Sequence, residues 1–135
     1  MTMQQSPLEV RVTVGLRWRD LDMLGHLNQA VYHELLEEGR SAFFERVGSF
    51  AFVIARVELD YRSEVRKDHG SVDVVVRAES VGRSSVVVEQ QIVLPDGTVA
   101  AEGRAVLVAW DPHERRSRPF TDGERARLDG LPATT

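Results

Sequence analysis

The chain has 135 residues, 42% of them hydrophobic and 28% charged, with a formal net charge of -4 and no cysteine. That length supports one domain with a real core (core 8–111, tail 112–135) and is too short for two. The acidic balance argues against nucleic acid, whose phosphates require a basic face, and the lack of cysteine excludes a disulfide framework, a thiolate nucleophile and a thiolate metal site. Met1 to Pro7 are polar and lack the segments of a signal peptide, and no apolar run approaches the ~20 residues that span a bilayer. A soluble cytoplasmic protein with no membrane partner is expected.

From Leu8 to Trp18 apolar residues occupy the even positions (Leu8, Val10, Val12, Val14, Leu16, Trp18), the period of a strand with one buried face. From Asn28 to Val47 the spacing changes to three and four: Tyr32, Leu35, Leu36, Gly39, Phe43 and Val47 form an apolar stripe, leaving Glu34, Glu37, Glu38 and Arg40 to other faces. This predicts a helix of about five turns, capped by Asn28 and stopped at Gly48. Alternation then returns over Phe52 to Arg66, with Val53, Ala55, Val57, Leu59 and Tyr61 on one face. Asp68-His69-Gly70 makes a turn, Val72 to Val81 a third strand, Gly82-Arg83 a tight connection and Ser84 to Leu94 a fourth. Pro95-Asp96-Gly97 is a hairpin turn into a fifth strand, Val99 to Trp110. Asp111 to Pro119 is irregular, and Thr121 to Leu128 forms a short terminal helix.

Strands joined by two- or three-residue turns pair antiparallel, so one antiparallel sheet of about five strands must meet one long helix. The solution is an α+β fold in which the sheet curls around the helix. The last two strands are apolar on both faces (Val86 with Val87, Val106 with Leu107), more than one helix can cover. A homodimer or, through the row Val106, Val108 and Trp110, a homotetramer is therefore expected.

Between the first strand and the helix lies Asp20-Leu21-Asp22-Met23-Leu24-Gly25-His26-Leu27-Asn28. A calcium loop would need an oxygen ligand at Leu24 and a glutamate at Val31, and both fail. A phosphotransferase Asp-x-Asp follows a buried parallel strand, which this chain lacks. Two carboxylates and one histidine, without a His-x-x-x-His pair, make a poor metal site, so no metal is assigned. Capping of the loop and the helix by the aspartates is the remaining structural alternative.

The pattern Arg17-x-x-Asp20-x-Asp22-x-x-Gly25-His26-x-Asn28, with Tyr32 four residues on and then Glu37-x-x-Arg40, resembles the hotdog-fold thioesterases of the 4-hydroxybenzoyl-CoA thioesterase type. Val57-Glu58-Leu59-Asp60-Tyr61, Gly82-Arg83-Ser84-Ser85 and Asp96-Gly97 through Val108 extend the resemblance over about Leu8 to Asp111. It implies a hotdog fold, an acyl-CoA substrate and no cofactor. Asp22 then stands where the family keeps its catalytic carboxylate, and the amide at or near Gln29 where a backbone donor polarises the thioester carbonyl. Gly25 permits the close turn. The family commonly has asparagine or histidine where this chain has Gln29, which leaves the substrate class open.

His26 either orients Asp22 or a water, or holds the turn. Asp20 is expected to brace the loop or to pair with Arg17 or Arg19. Asn28 and Tyr32 border the substrate, although Tyr32 also has core spacing, and Glu37 with Arg40 form an intrahelical pair. Arg62 and Arg83, with Arg66 and Lys67, are the candidates for CoA phosphates. Whether Asp22 acts as nucleophile or general base is not decided at this level. An acyl-carrier-protein thioesterase, a hydratase and a non-catalytic acyl-CoA-binding protein are the alternatives, the hydratase lacking a helix-borne His with an acidic partner.

Overall fold

The computed structural model describes residues 7–17, 20–25, 27, 29–49 and 51–130. The elements are β1 (Glu9–Gly15), α1 (Gln29–Val47), β2 (Phe52–Tyr61), β3 (Ser71–Val81), β4 (Ser85–Val93), β5 (Val99–Asp111), β6 (Arg116–Ser117) and α2 (Asp122–Leu128). The main sheet runs in the order β1-β3-β4-β5-β2, every pairing antiparallel, with β6 pairing β5. Among the described residues, no helix is long and apolar enough to cross a membrane.

The apolar stripe of α1 is buried as its spacing requires: Leu35, Leu36, Phe43 and Val47 lie against Val72, Val74 and Val76 of β3 and Val86, Val88 and Ile92 of β4. Gly39 sets the depth of this contact. A Cβ there would stand 2.5 Å from Val74 Cγ1 and 2.8 Å from Val76 Cγ2, so the helix reaches β3 only because that position has no side chain. Gly48 ends the helix at φ 95°, its N–H donating to Phe44 O at 2.8 Å.

The expected helix α2 forms behind Thr121, whose hydroxyl accepts from Glu124 N while the Glu124 carboxylate accepts from Thr121 N. It clasps the core: Arg118 Nη1 binds Glu124 Oε1 at 2.7 Å, and Arg127 Nη1 donates to Val47 O at 3.1 Å, closing the carbonyl end of α1. The expected irregular segment after Asp111 contains the two-residue strand β6.

Three sequence expectations are corrected. The second strand stops at Tyr61 rather than running to Arg66. Its faces also do not alternate simply, because a bulge between Ile54 and Arg56 shifts the register. Registered against β5, whose Ala105, Leu107 and Ala109 are buried, Phe52, Ile54, Val57, Leu59 and Tyr61 share the helix-side face and Val53 the outer one. Arg40 is buried rather than solvated, and its guanidinium bonds Gln90 of β4 instead of pairing with Glu37.

The outer face of the sheet is a lattice of cross-strand ion pairs. Arg11 Nε binds Asp73 at 2.7 Å, Arg77 binds Glu89, and Arg104 Nε binds Glu79 at 2.7 Å. Toward one end this gives way to half-buried Val106, Val108 and Trp110, the expected apolar row.

Candidate active site

The two aspartates of the loop have opposite environments. Asp20 is 1% exposed, and its carboxylate is saturated by Arg17: the backbone N–H donates to Oδ2 at 2.8 Å, and Nε and Nη2 donate to Oδ1 at 3.1 and 2.8 Å. Arg17 Nη2 also reaches Glu34 of α1 at 3.2 Å, so one guanidinium ties the end of β1, the loop and the helix together. The hydrogen bond and charge of Asp20 hold the Arg17 pKa above its ordinary value. Asp20 is the brace.

Asp22 is exposed two residues later. Its Oδ1 accepts the Leu24 N–H at 2.9 Å, and its carbonyl accepts the Gly25 N–H at 3.1 Å. The chain leaves this Asx turn through Gly25, which takes the left-handed conformation at φ 78°. A bridge between Leu21 and Leu27 closes the loop, and Leu27 N–H donates to Val65 O at 2.8 Å. The carboxylate of Asp22 is thus anchored through a backbone turn while its residue remains open to solvent.

A cleft of about 650 Å³ opens beside it. Asp22, Leu27, Gln29 and Tyr32 form one side; Tyr61, Arg62, Ser63 and Glu64 form the other. Gln29 is the first residue of α1, whose opening turn carries no acidic side chain to neutralise the partial positive charge of its backbone amides. Tyr32 is buried with its ring edge-on to Tyr61, centroids 4.9 Å apart, and burial raises its phenol pKa. A second hollow of about 370 Å³ lies at Leu21, Met23, Gly25 and Lys67, and Asp22 borders it too. Among the described residues no group of three or more His, Asp or Glu is placed to hold a metal ion.

Asp22, Gln29, Tyr32 and Arg62 therefore meet in one cleft, with Gly25 shaping the turn. His26 and Asn28 lie outside the described residues. Arg62 is held by Glu102, Nε to Oε1 at 2.8 Å, at the mouth of the cleft, and Arg66 is held by Asp68 and Glu64 at 2.9 and 3.1 Å. Arg83 does not join them. The pairing Gly15–Ser71 puts the Asp22 loop at the start of β3, whereas Arg83 follows its end. The ten steps along the eleven residues of β3, at ~3.3 Å each, set its two ends about 33 Å apart within one chain. Tyr61, Ser63 and Glu64 carry no mark of a site in the sequence. The early end of β2 turns them under the loop, and no glycine or proline between positions 51 and 69 signals that end.

The sequence model of the thioesterase-like superfamily matches residues 16–128. A thioesterase from Thermus thermophilus, solved in complex with coenzyme A and zinc, is 37% identical over 87% of this chain and 95% of its own, with a TM-score of 0.79. The PA2801 protein of Pseudomonas aeruginosa is 32% identical over 86% of this chain and 95% of its own, with a TM-score of 0.76. The SAV2348 protein of Staphylococcus aureus, in complex with CoA, is 16% identical and shares the fold at a TM-score of 0.83, over 99% of this chain and 92% of its own. A five-stranded antiparallel sheet packed on a long central helix is the hotdog fold of these structures.

Proposed function

The chain belongs to the thioesterase-like superfamily, and on that premise we propose that it hydrolyses an acyl-CoA thioester with Asp22 as the reacting carboxylate. The observation that carries this reading is the shared cleft: an exposed carboxylate, anchored by its own turn, faces the same space as the first turn of α1. Glu64, the other carboxylate of the cleft, is engaged by Arg66.

The chemistry needs little more. The leaving thiolate has a parent pKa of roughly 8.5, so no strong general acid is required. With Asp22 as base, it takes a proton from a water whose oxygen attacks the carbonyl carbon. The carbonyl electron pair moves onto oxygen and is held by the amide at Gln29; collapse expels the CoA thiolate and leaves the free acid. With Asp22 as nucleophile, its oxygen attacks instead, and water opens the resulting anhydride. Turnover in ¹⁸O-water separates the two, since a single turnover through an anhydride can leave the label in Asp22.

We assign the CoA nucleotide to the rim at Arg62, and we propose a homodimer built by antiparallel pairing of the β2 edges. Among the described residues β2 leaves one edge without a partner in the main sheet, and its helix-side face exposes Ile54 (45%) and Tyr61 (45%). Antiparallel pairing would bring the Arg83 end of one chain toward the Asp22 end of the other, so Arg83 acts on phosphate only across the interface. The test is a panel of acyl-CoA esters with a thiol-detecting dye. Release of free CoA by the native chain and not by Asp22→Asn supports the reading. Tight CoA binding without turnover of any ester would leave a binding protein instead.

A further inference from the structure

The cleft beside Asp22 is poorly suited to a hydrocarbon chain. Of the eight residues that line it only Leu27 is aliphatic, and Leu27 is 4% exposed. The open surface comes instead from carboxylates, a guanidinium, an amide, a hydroxyl and the ring of Tyr61, which is 45% exposed. An alkyl group entering this space would strip water from polar groups and return no hydrogen bond.

Charge is unbalanced around the same space. Arg62 is shared by Glu102, Nε to Oε1 at 2.8 Å, and Asp60, Nη2 to Oδ2 at 3.9 Å. Arg66 is shared by Glu64, Nη1 to Oε1 at 3.1 Å, and Asp68, Nε to Oδ1 at 2.9 Å. Two guanidiniums thus serve four carboxylates, and Asp22 adds a fifth. Lys67 stands beyond Asp22 in the neighbouring hollow, and the balance stays negative. A carboxylate-tipped acyl group would be repelled there, and a cationic one drawn in. Oxygens of Glu64, Asp68 and Glu102 already accept from guanidiniums, so these carboxylates offer a field more than a hydrogen bond. The ring of Tyr61 completes the set, held at 89° to buried Tyr32 with centroids 4.9 Å apart. A cation that needs no hydrogen bond, a quaternary ammonium, matches an aromatic ring backed by negative charge.

We propose that the acyl group of the substrate is short and ends in a quaternary ammonium, seated against Tyr61 with Glu64 beside it, while the CoA nucleotide stays outside at the Arg62 rim. The inference rests on the acyl-CoA hydrolysis proposed above and names the acyl class that suits this cleft. A volume of about 650 Å³ falls within the ~300–1,000 Å³ of small-ligand pockets.

The test compares two esters of one shape, 4-(trimethylammonio)butyryl-CoA and 5,5-dimethylhexanoyl-CoA, the second carrying a neutral carbon where the first carries its charged nitrogen. The methylenes between that atom and the carbonyl keep the intrinsic reactivities of the two thioesters alike. The native chain should favour the cationic ester at least about tenfold in kcat/KM, chiefly through KM, and added salt should shrink the preference. Glu64→Gln and Tyr61→Leu, both at exposed positions, should each cut the ratio at least about threefold. Tetramethylammonium chloride should inhibit competitively, beyond the effect of sodium chloride at the same concentration. Equal turnover, or preference for the neutral ester, overturns the inference and leaves the thioesterase reading standing. A preference that survives both substitutions overturns the placement of the cation at Tyr61 and Glu64. A native chain that hydrolyses no acyl-CoA ester overturns both the inference and the reading beneath it.

Discussion

Replacing Asp22 with asparagine removes a charge while keeping the size and shape of the side chain. The side-chain oxygen that accepts the Leu24 N–H at 2.9 Å is retained, so the Asx turn and the loop survive. What disappears is the oxygen proposed as base or nucleophile, and losing such a positioned group costs about 10²-fold or more, equivalent to about 2.7 kcal/mol in the barrier. Asp20→Asn is the matched control. There the carboxylate accepts from the Arg17 backbone, Nε and Nη2, and the residue is sealed from solvent. Removing its charge weakens a buried charge-assisted network, a stability loss of about 1–3 kcal/mol. Steady-state hydrolysis of an acyl-CoA series, together with urea denaturation of both variants, gives the two readouts. Asp22→Asn should fold normally with kcat down at least about a hundredfold; Asp20→Asn should unfold earlier with a smaller change in kcat. A correctly folded Asp22→Asn enzyme with near-native kcat, or the larger kcat loss at Asp20, would refute the division of roles.

Gly39→Ala gains about 1 kcal/mol of helix propensity but drives a methyl into Val74 and Val76, an overpacking cost of about 1–3 kcal/mol. Net destabilisation of up to about 2 kcal/mol is expected in urea melts, with Val74→Ala costing less in the Gly39→Ala background than in the native one. The Arg118 hydrogen bond holds the Glu124 pKa below its ordinary value. Its stabilisation is therefore complete above the unfolded carboxylate value of about 4.3 and is lost as pH falls through the lower folded value; Glu124→Gln should flatten the acid limb of the stability profile below about pH 4. Arg62→Ala should raise KM for acyl-CoA without a comparable fall in kcat, and native KM should rise with ionic strength, as expected for phosphates held at an exposed rim. Salt-independent kinetics with preference for acyl-carrier protein would instead assign the docking to a protein surface.

The parts of this molecule that are legible in sequence are those governed by local periodicity and turn chemistry. The alternation of β1, the stripe of α1, the stop at Gly48 and the hairpin at Asp96-Gly97 each follow from residues within a few positions of one another. Asp20 is legible as a brace because its partner Arg17 is three residues away. What fails depends on distant contacts. The bulge at Ile54–Arg56 is set by register against β5, and it moves Val53 away from the face its alternation suggests. Arg40 reads as a solvated residue by type, yet Gln90, fifty positions later, is what it meets. Tyr61, Ser63 and Glu64 enter the cleft because β2 stops short, a tertiary event without a local signal. The place of Arg83, at the end of β3 away from the Asp22 loop, likewise comes from the pairing of β1 with β3 and not from any residue near it in sequence.

The same separation explains why two identical side chains two positions apart can hold different offices. A carboxylate saturated by a guanidinium and a backbone N–H, and excluded from water, has its lone pairs committed and its orientation fixed; it is a mechanical part. A carboxylate that accepts from its own turn and stays exposed lines a cleft without burying its charge. The first makes the second possible, because Arg17 carries the brace onward to Glu34 and so fixes the loop relative to the first turn of α1. Catalysis by a carboxylate and a helix end depends on the distance between them. In this fold buried Asp20, not exposed Asp22, ties the loop to α1 through Arg17 and Glu34, so on the proposed mechanism mutations of Arg17 should affect kcat through the loop even though Arg17 does not line the cleft.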